Sequence, residues 1–218
     1  MEVSVMIVDD HQIVREGLRS LLEKTDGIKV VCEASNGRDC VSLAMKKKPD
    51  IVIMDISMPE MNGLEATRKI SQAVKGTKVL ALSMTTDRRQ VQEMLRAGAR
   101  GFLIKDSAYE ELIRAIQAIQ GGHPYLSPTI QGIMMADYVN GQSSETPIPA
   151  IKTLTSRERE ILQLLAEGVT VKAIAEKLDR CVKTIETHRA NIMDKLELRT
   201  VPQLTKYAIQ EGLTSLDQ

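Results

Sequence analysis

Five short runs of apolar, largely β-branched residues punctuate the first half of the chain: Val3 to Val8, Ile28 to Cys32, Ile51 to Met54, Lys78 to Leu82 and Gly101 to Ile104. Runs this short and this continuously apolar fit strands buried on both faces, the environment of a parallel sheet. Between and after them, apolar residues recur at helical spacing: Val14, Leu18, Leu21 and Leu22; Cys40, Leu43 and Ala44; Leu64, Thr67 and Ile70; Val91, Met94 and Leu95; Leu112, Ala115, Ile116 and Ile119. Strand and helix in strict alternation predict an α/β architecture, a five-stranded doubly wound parallel sheet.

A parallel sheet brings its strand ends to one edge, and in open α/β sheets that edge is where ligands bind. The first run leads into Asp9-Asp10-His11 and the third ends against Asp55. The fourth ends in Ser83 and the fifth in Lys105, so three acids, a hydroxyl and an ammonium share one edge. Asp9 and Asp10 taken alone are equally explained as caps for a helix beginning near Gln12. Three clustered carboxylates, however, resist ionisation unless a cation joins them, and oxygen-only ligands suit Mg²⁺. The full set suits phosphoryl transfer to a carboxylate: Asp55 attacks, Mg²⁺ bridges the oxygens, Lys105 balances the phosphoryl charge and Ser83 hydrogen-bonds it.

With Met58-Pro59, Gly63 and the stretch Phe102 to Lys105, these residues make residues 1–122 resemble the receiver domain of two-component response regulators. The resemblance implies a flavodoxin-like fold with Asp55 as phosphoacceptor. It also implies that Asp10, Asp55 and the backbone carbonyl of Ser57 hold Mg²⁺, with Asp9 reaching it through water. Further implications are a cognate histidine kinase, and a switch made of Ser83 and Phe102. Phe102, the only Phe in the chain, stands where the family's rotating aromatic stands. Core packing explains it equally well, because Phe lacks a hydroxyl for a partner to read. A receiver is not a free-standing enzyme; it assists only its own phosphoryl transfer and dephosphorylation. Phosphatases of the haloacid-dehalogenase type are the competing class, but they carry Asp-x-Asp where this chain has adjacent aspartates.

At 218 residues the chain is long enough for two domains, each burying a core. No apolar run approaches the ~20 residues needed to cross a bilayer, and no charged start leads into an apolar stretch. A cytoplasmic location without membrane association is therefore expected. Cys32, Cys40 and Cys181 are odd in number and lack metal-ligand spacing, which fits a reducing compartment. Lys plus Arg, 29, equals Asp plus Glu, 29, so bulk charge draws the protein neither to nucleic acid nor to membrane.

Composition breaks once, between Ser127 and Lys152, where Gly141, Gln142, Ser143, Ser144, Pro147 and Pro149 mark a linker. The expected division is a receiver over 1–122, a linker over 123–150 containing a short helix near Ile130 to Tyr138, and a second domain over 151–218.

The second domain reads as a small all-α, four-helix unit. Thr155 with Glu158 forms a capping box before Ile161, Leu162, Leu164 and Leu165; Thr170 caps a short helix carrying Ile174, Ala175 and Leu178. A longer helix runs from Val182 to about Leu196, and Thr200 with Gln203 caps a fourth that Gly212 ends. Two of these helices are joined by the turn Asp179-Arg180-Cys181, as in a helix-turn-helix that places its second helix in the DNA major groove. A bundle used only for protein contacts shows the same pattern. On the long helix Ile185, Ile192 and Leu196 define the buried face. Lys183, Thr187, Ala190 and Asp194 lie opposite, flanked by Glu186 and Asn191, and the early members of this set face base edges. Lys183, Thr184 and Arg189 are better placed for phosphates. Residues 151–218 carry 11 Lys plus Arg against 10 Asp plus Glu, 11 − 10 = +1, so non-specific affinity is expected to be modest.

Leu154 to Glu160, Ile174-Ala175 and Lys183 to His188 resemble the LuxR-type helix-turn-helix. Receiver plus this domain resembles the NarL/FixJ type of response regulator over nearly the whole chain. The resemblance implies a transcriptional regulator that binds double-stranded DNA as a homodimer on phosphorylation, with dimer contacts around Gln203 to Ile209. One departure stands out. Where the family has Gly, an apolar residue and Ser before the recognition helix, this chain has Asp179, Arg180 and Cys181, and Cys is a poorer N-cap than Ser.

Overall fold

The computed structural model describes residues 2–107, 109–139 and 154–214, which fall into two compact units. The linker residues 140–153, including the Gly, Ser and Pro positions named above, lie outside the described residues.

The first unit alternates strand and helix as its apolar periodicity requires. Its elements are β1 (Val3–Val8), α1 (Gln12–Leu22), β2 (Ile28–Ala34), α2 (Gly37–Lys47), β3 (Ile51–Asp55), α3 (Gly63–Ala73), β4 (Lys78–Ser83), α4 (Arg88–Ala97), β5 (Gly101–Ile104), α5 (Tyr109–Gln120), β6 (Tyr125–Leu126) and α6 (Pro128–Val139). All strands pair in parallel, in the order β2-β1-β3-β4-β5-β6. The sheet thus has six strands, one more than expected. At two residues β6 is too short to form an apolar run; it is held by the Tyr125 amide on the Arg100 carbonyl (3.0 Å) and the Ser127 amide on the Phe102 carbonyl (3.0 Å).

Side chains alternate across the sheet, as the period of two demands. Val5, Ile7, Ile51, Ile53, Leu80, Leu82 and Leu103 pack with α5 residues Leu112, Ala115, Ile116 and Ile119 and with Leu22 of α1. On the opposite face Ala81 and Phe102 pack with Val91 and Met94 of α4 and Ile130 of α6. The expected short helix is therefore longer, Pro128–Val139, and its apolar face closes the first unit's core.

The second unit consists of α7 (Ser156–Ala166), α8 (Val171–Lys177), α9 (Val182–Leu196) and α10 (Val201–Gln210). Capping boxes are formed at Thr155/Glu158 and Thr200/Gln203. Leu162, Leu165, Ile174, Ile185, Ile192 and Leu204 share one buried core, so all four helices converge on a single apolar centre.

Candidate functional site

Strand order reverses at β1, which has β2 on one side and β3 on the other while all strands run parallel, and ligands bind at such a switch point. Asp9 and Asp10 follow β1 and Asp55 ends β3, so the acids flank it. Pairing continues past the strand ends: the Asp9 amide reaches the Ala34 carbonyl (3.2 Å), Ile56 reaches Leu82 (3.3 Å) and Lys105 reaches Ser83 (2.8 Å). These bonds carry each functional residue to the same edge at a fixed height.

There the Lys105 ammonium lies 2.7 Å from Asp9 Oδ2 and 2.9 Å from Asp55 Oδ2. Asp9 is 0% exposed and Asp55 3%, so the field between them is poorly screened. Burial pushes the Asp55 carboxyl up to about 6; Lys105 pulls it back and the Asp9 charge adds to the rise. Burial lowers the Lys105 ammonium, but Asp55 and Asp9 outweigh this and hold it above its ordinary value. Asp9, Asp10, His11 and Asp55 each offer a ligand atom within 4.8 Å of the others. With the three acids ionised and Lys105 charged, the pocket carries −3 + 1 = −2, which a divalent cation would neutralise. An oxygen-rich donor set of this charge fits Mg²⁺. Ser57 is exposed beside the pocket, its amide 3.4 Å from Asp55 Oδ1.

Gly63 opens α3 directly behind Asp55. Its amide donates to the Ile56 carbonyl at 2.9 Å, and a Cβ at this position would lie 2.0 Å from the Asp55 carbonyl oxygen. Only glycine lets the loop pass this close. Asn62 caps the helix by accepting from the Glu65 amide at 3.0 Å. Ser83 is buried at the end of β4, and Phe102 is fully buried in the α4/α6 face of the core.

Sequence reasoning assigned no role to three residues at this site, of which it had named only His11, beside the paired aspartates. His11 Nδ1 lies 3.0 Å from Asp10 and 3.2 Å from Asp9. Arg15 donates to the carbonyls of Asp9 (2.7 Å) and Asp10 (3.2 Å), fixing the turn that presents both acids. Gln90 accepts from the Ser83 hydroxyl at 2.7 Å. Arg15 sits on the first turn of α1, a spacing that could have suggested a contact with the residues just before the helix; for Gln90 the sequence holds no signal.

In the second unit, α8 and α9 are joined by a tight turn in which Asp179 adopts a left-handed backbone, φ 51°. This is where the resemblance expects Gly, the residue for which that conformation is unstrained. Cys181 occupies the N-cap without a side-chain bond to the helix backbone; its sulfur instead lies 2.9 Å from the Thr184 hydroxyl. The Thr184 hydroxyl holds the Cys181 thiol below its ordinary value. Lys183, Glu186, Thr187, Ala190 and Asn191 are exposed along α9, Thr184 and Arg189 are half-buried, and Ile185, Ile192 and Leu196 face inward. Helix α9 is anchored from α7: Lys195 reaches the Glu158 carboxylate at 2.7 Å, and Arg157 donates to the Leu178 carbonyl at the end of α8 (3.1 Å). The exposed face of α9 is thus oriented by the burial of Ile185, Ile192 and Leu196 and by the ion pair on its flank.

Residues 5–117 match the family model for the response regulator receiver domain, and residues 152–208 match that for bacterial regulatory proteins of the luxR family. The chain belongs to the NarL/FixJ-type two-component response regulators. Relatives span its full length. Oxygen regulatory protein NreC of Staphylococcus carnosus (strain TM300) is 38% identical over 214 residues, 97% of this chain and 99% of that protein. Response regulator UvrY of Escherichia coli (strain K12) is 35% identical over 215 residues, covering 99% and 97%. Among solved structures, the two-component response regulator RcsB–DNA complex aligns with TM-score 0.58 and 26% identity over 95% of this chain and 98% of that one. The first unit of this response regulator is its receiver and the second its LuxR-type DNA-binding domain. Receivers bind Mg²⁺ at an acidic pocket, and the acids at the β1/β3 switch point form such a pocket. Among the described residues no helix is long and apolar enough to cross a membrane.

Proposed function

We propose that a histidine kinase phosphorylates Asp55, and that the phosphorylated protein dimerises and occupies a two-part site on double-stranded DNA. The observation that carries this reading is the Lys105 ammonium shared between Asp9 and Asp55 in a buried pocket at the switch point. Asp55 is the nucleophile, its oxygen forming a bond to phosphorus as the bond to the donor breaks. Asp10, Asp55 and the Ser57 carbonyl would hold Mg²⁺, with the Asp9 carboxylate beside them in the same pocket. Bound there, the cation would neutralise charge on the transferring phosphoryl group. Lys105 pairs with the phosphoryl oxygens and Ser83 donates a hydrogen bond to one of them. Phe102, closely packed in the core, couples the strand end to α4 by its shape.

The exposed face of α9 reads the major groove. Glu186, Thr187, Ala190 and Asn191 meet base edges, while Lys183, Thr184 and Arg189 meet phosphates. The RcsB–DNA complex supports this use of the domain. The two copies meet through the outward face of α10, where Val201, Pro202, Thr205 and Ile209 line a shallow, mainly apolar depression. The protein acts in the cytoplasm, where kinase and DNA are both accessible.

The test is phosphoryl uptake from acetyl phosphate with Mg²⁺, followed by intact-protein mass spectrometry of wild type and Asp55→Asn. Wild type gains one phosphoryl group and the variant gains none. Undiminished phosphate on the Asn variant overturns the assignment.

A further inference from the structure

The Ser83 hydroxyl is already engaged. It accepts from the Thr85 amide at 3.1 Å and donates to Gln90 Oε1 at 2.7 Å. Gln90 lies in the first turn of α4, and its oxygen also sits 3.4 Å from the Thr85 hydroxyl. A serine hydroxyl has a single proton to donate. Ser83 therefore cannot serve Gln90 and a phosphoryl oxygen on Asp55 at the same time.

We infer that Gln90 is a positioning residue that holds the Ser83 hydroxyl away from the phosphoacceptor, and that phosphorylation redirects this hydrogen bond from Gln90 Oε1 to a phosphoryl oxygen. The inference rests on the reading of Asp55 as phosphoacceptor and adds the group that competes with its product. It also gives α4 a route to sense the phosphoryl group. The Asp87 amide donates to the Thr85 hydroxyl at 3.2 Å and the Arg89 amide to Asp87 at 2.9 Å, so the segment from Ser83 to Gln90 is laced end to end. Releasing the Ser83–Gln90 bond opens that lacing at the point where strand meets helix. Phe102 has no hydroxyl with which to carry such an exchange, which leaves Gln90 as the polar partner of Ser83 on α4.

With acetyl phosphate as donor, Asp55 oxygen bonds to phosphorus while the phosphorus–oxygen bond to acetate breaks, and acetate leaves with the electron pair. In the transition state and in the product Ser83 faces the phosphoryl group; only the starting state has the bond to Gln90. Removing the Gln90 acceptor therefore raises the starting state alone. Uptake accelerates and loss of the phosphoryl group keeps its rate.

The experiment follows both rate constants by mass spectrometry at saturating Mg²⁺ in the full chain, with acetyl phosphate as donor. Gln90→Met keeps length without the acceptor, and Gln90→Glu keeps an acceptor oxygen. Gln90→Met is expected to raise the uptake rate constant about fivefold, the equivalent of ~1 kcal/mol for one hydrogen bond, with dephosphorylation unchanged. Gln90→Glu should match wild type or be slower. In a Ser83→Ala background Gln90→Met should have no effect. An unchanged uptake rate, an equal change in both rates, or persistence of the effect without Ser83 overturns the inference. Phosphate retained by an Asp55→Asn control, or absent from wild type, overturns the underlying phosphoacceptor reading instead.

Discussion

Neutralising Asp55 should stabilise the Mg²⁺-free receiver, by an amount that depends on pH. Burial pushes this carboxyl from an ordinary 3.8 up to about 6 in the folded state. A folded-state value above the unfolded one means that the native protein holds the proton more tightly. Ionisation then costs the native state, and this contribution to stability falls as pH rises through the window from about 4 to about 6. The difference of about 2 pH units corresponds to roughly 3 kcal/mol at 1.36 kcal/mol per unit. In Asp55→Asn the group cannot ionise, so the fall disappears. Urea unfolding of both proteins in EDTA from pH 4 to pH 8, reading the transition that responds to Mg²⁺, gives the difference directly. The variant should exceed wild type by up to ~3 kcal/mol at pH 7 and approach it near pH 4. Saturating Mg²⁺ should narrow the gap at pH 7, because it binds the native acids. A pH-independent difference, or a variant less stable than wild type at pH 7 in EDTA, would refute the burial argument.

Lys105→Ala should act in the opposite sense. It removes the ammonium 2.7 Å from Asp9 and 2.9 Å from Asp55, so the Mg²⁺-free receiver should lose ~3–5 kcal/mol at neutral pH, measured by the same unfolding, and its phosphorylated form should gain no DNA affinity in a gel shift. Gly63→Ala places a Cβ 2.0 Å from the Asp55 carbonyl and should cost ~1–3 kcal/mol while slowing phosphoryl uptake; an unaltered uptake rate would show that the loop yields without moving Asp55. Lys183→Ala should weaken binding to all duplexes and flatten the log-log salt dependence by about one unit, whereas Thr187→Ala should alter preference at one base pair by ~1–3 kcal/mol, both read against a randomised duplex library. Because the Thr187 hydroxyl donates to the Lys183 carbonyl at 2.9 Å, that contact is expected to come from its methyl group or its lone pairs.

The sheet and the positions of Asp9, Asp10, Asp55, Ser83 and Lys105 were legible because continuous burial writes itself as apolar runs, and the residue after each run inherits the strand's direction. What escaped has a common physical origin. β6 is too short to carry a period, and α6, read as a helix inside a linker, closes a core face through Ile130, which composition does not announce. Arg15, with two hydrogen bonds to backbone carbonyls, and Gln90, with one from the Ser83 hydroxyl, act through contacts fixed by helix placement rather than by any apolar pattern. The turn before α9 shows the reverse case. Its departure from the family pattern was visible in sequence, and the structure supplies the consequence: Asp179 takes the left-handed backbone that Gly would adopt without strain, and Cys181 caps no amide of the helix.

The near-neutral DNA-binding unit bears on why the proposed control by dimerisation would be sufficient. Arg157 pairs with Glu160 and Lys195 with Glu158, so two of its cations are neutralised within the fold, and Glu186 and Asp194 lie on the same exposed face as Lys183. A single copy therefore offers few phosphate contacts and releases few counterions, which keeps its affinity low at physiological salt. A second copy doubles those contacts and makes the second docking event intramolecular, at an effective concentration on the order of millimolar. Occupancy of a two-part site then tracks the dimer population, and that population can be set by the receiver without any change in the conformation of α9.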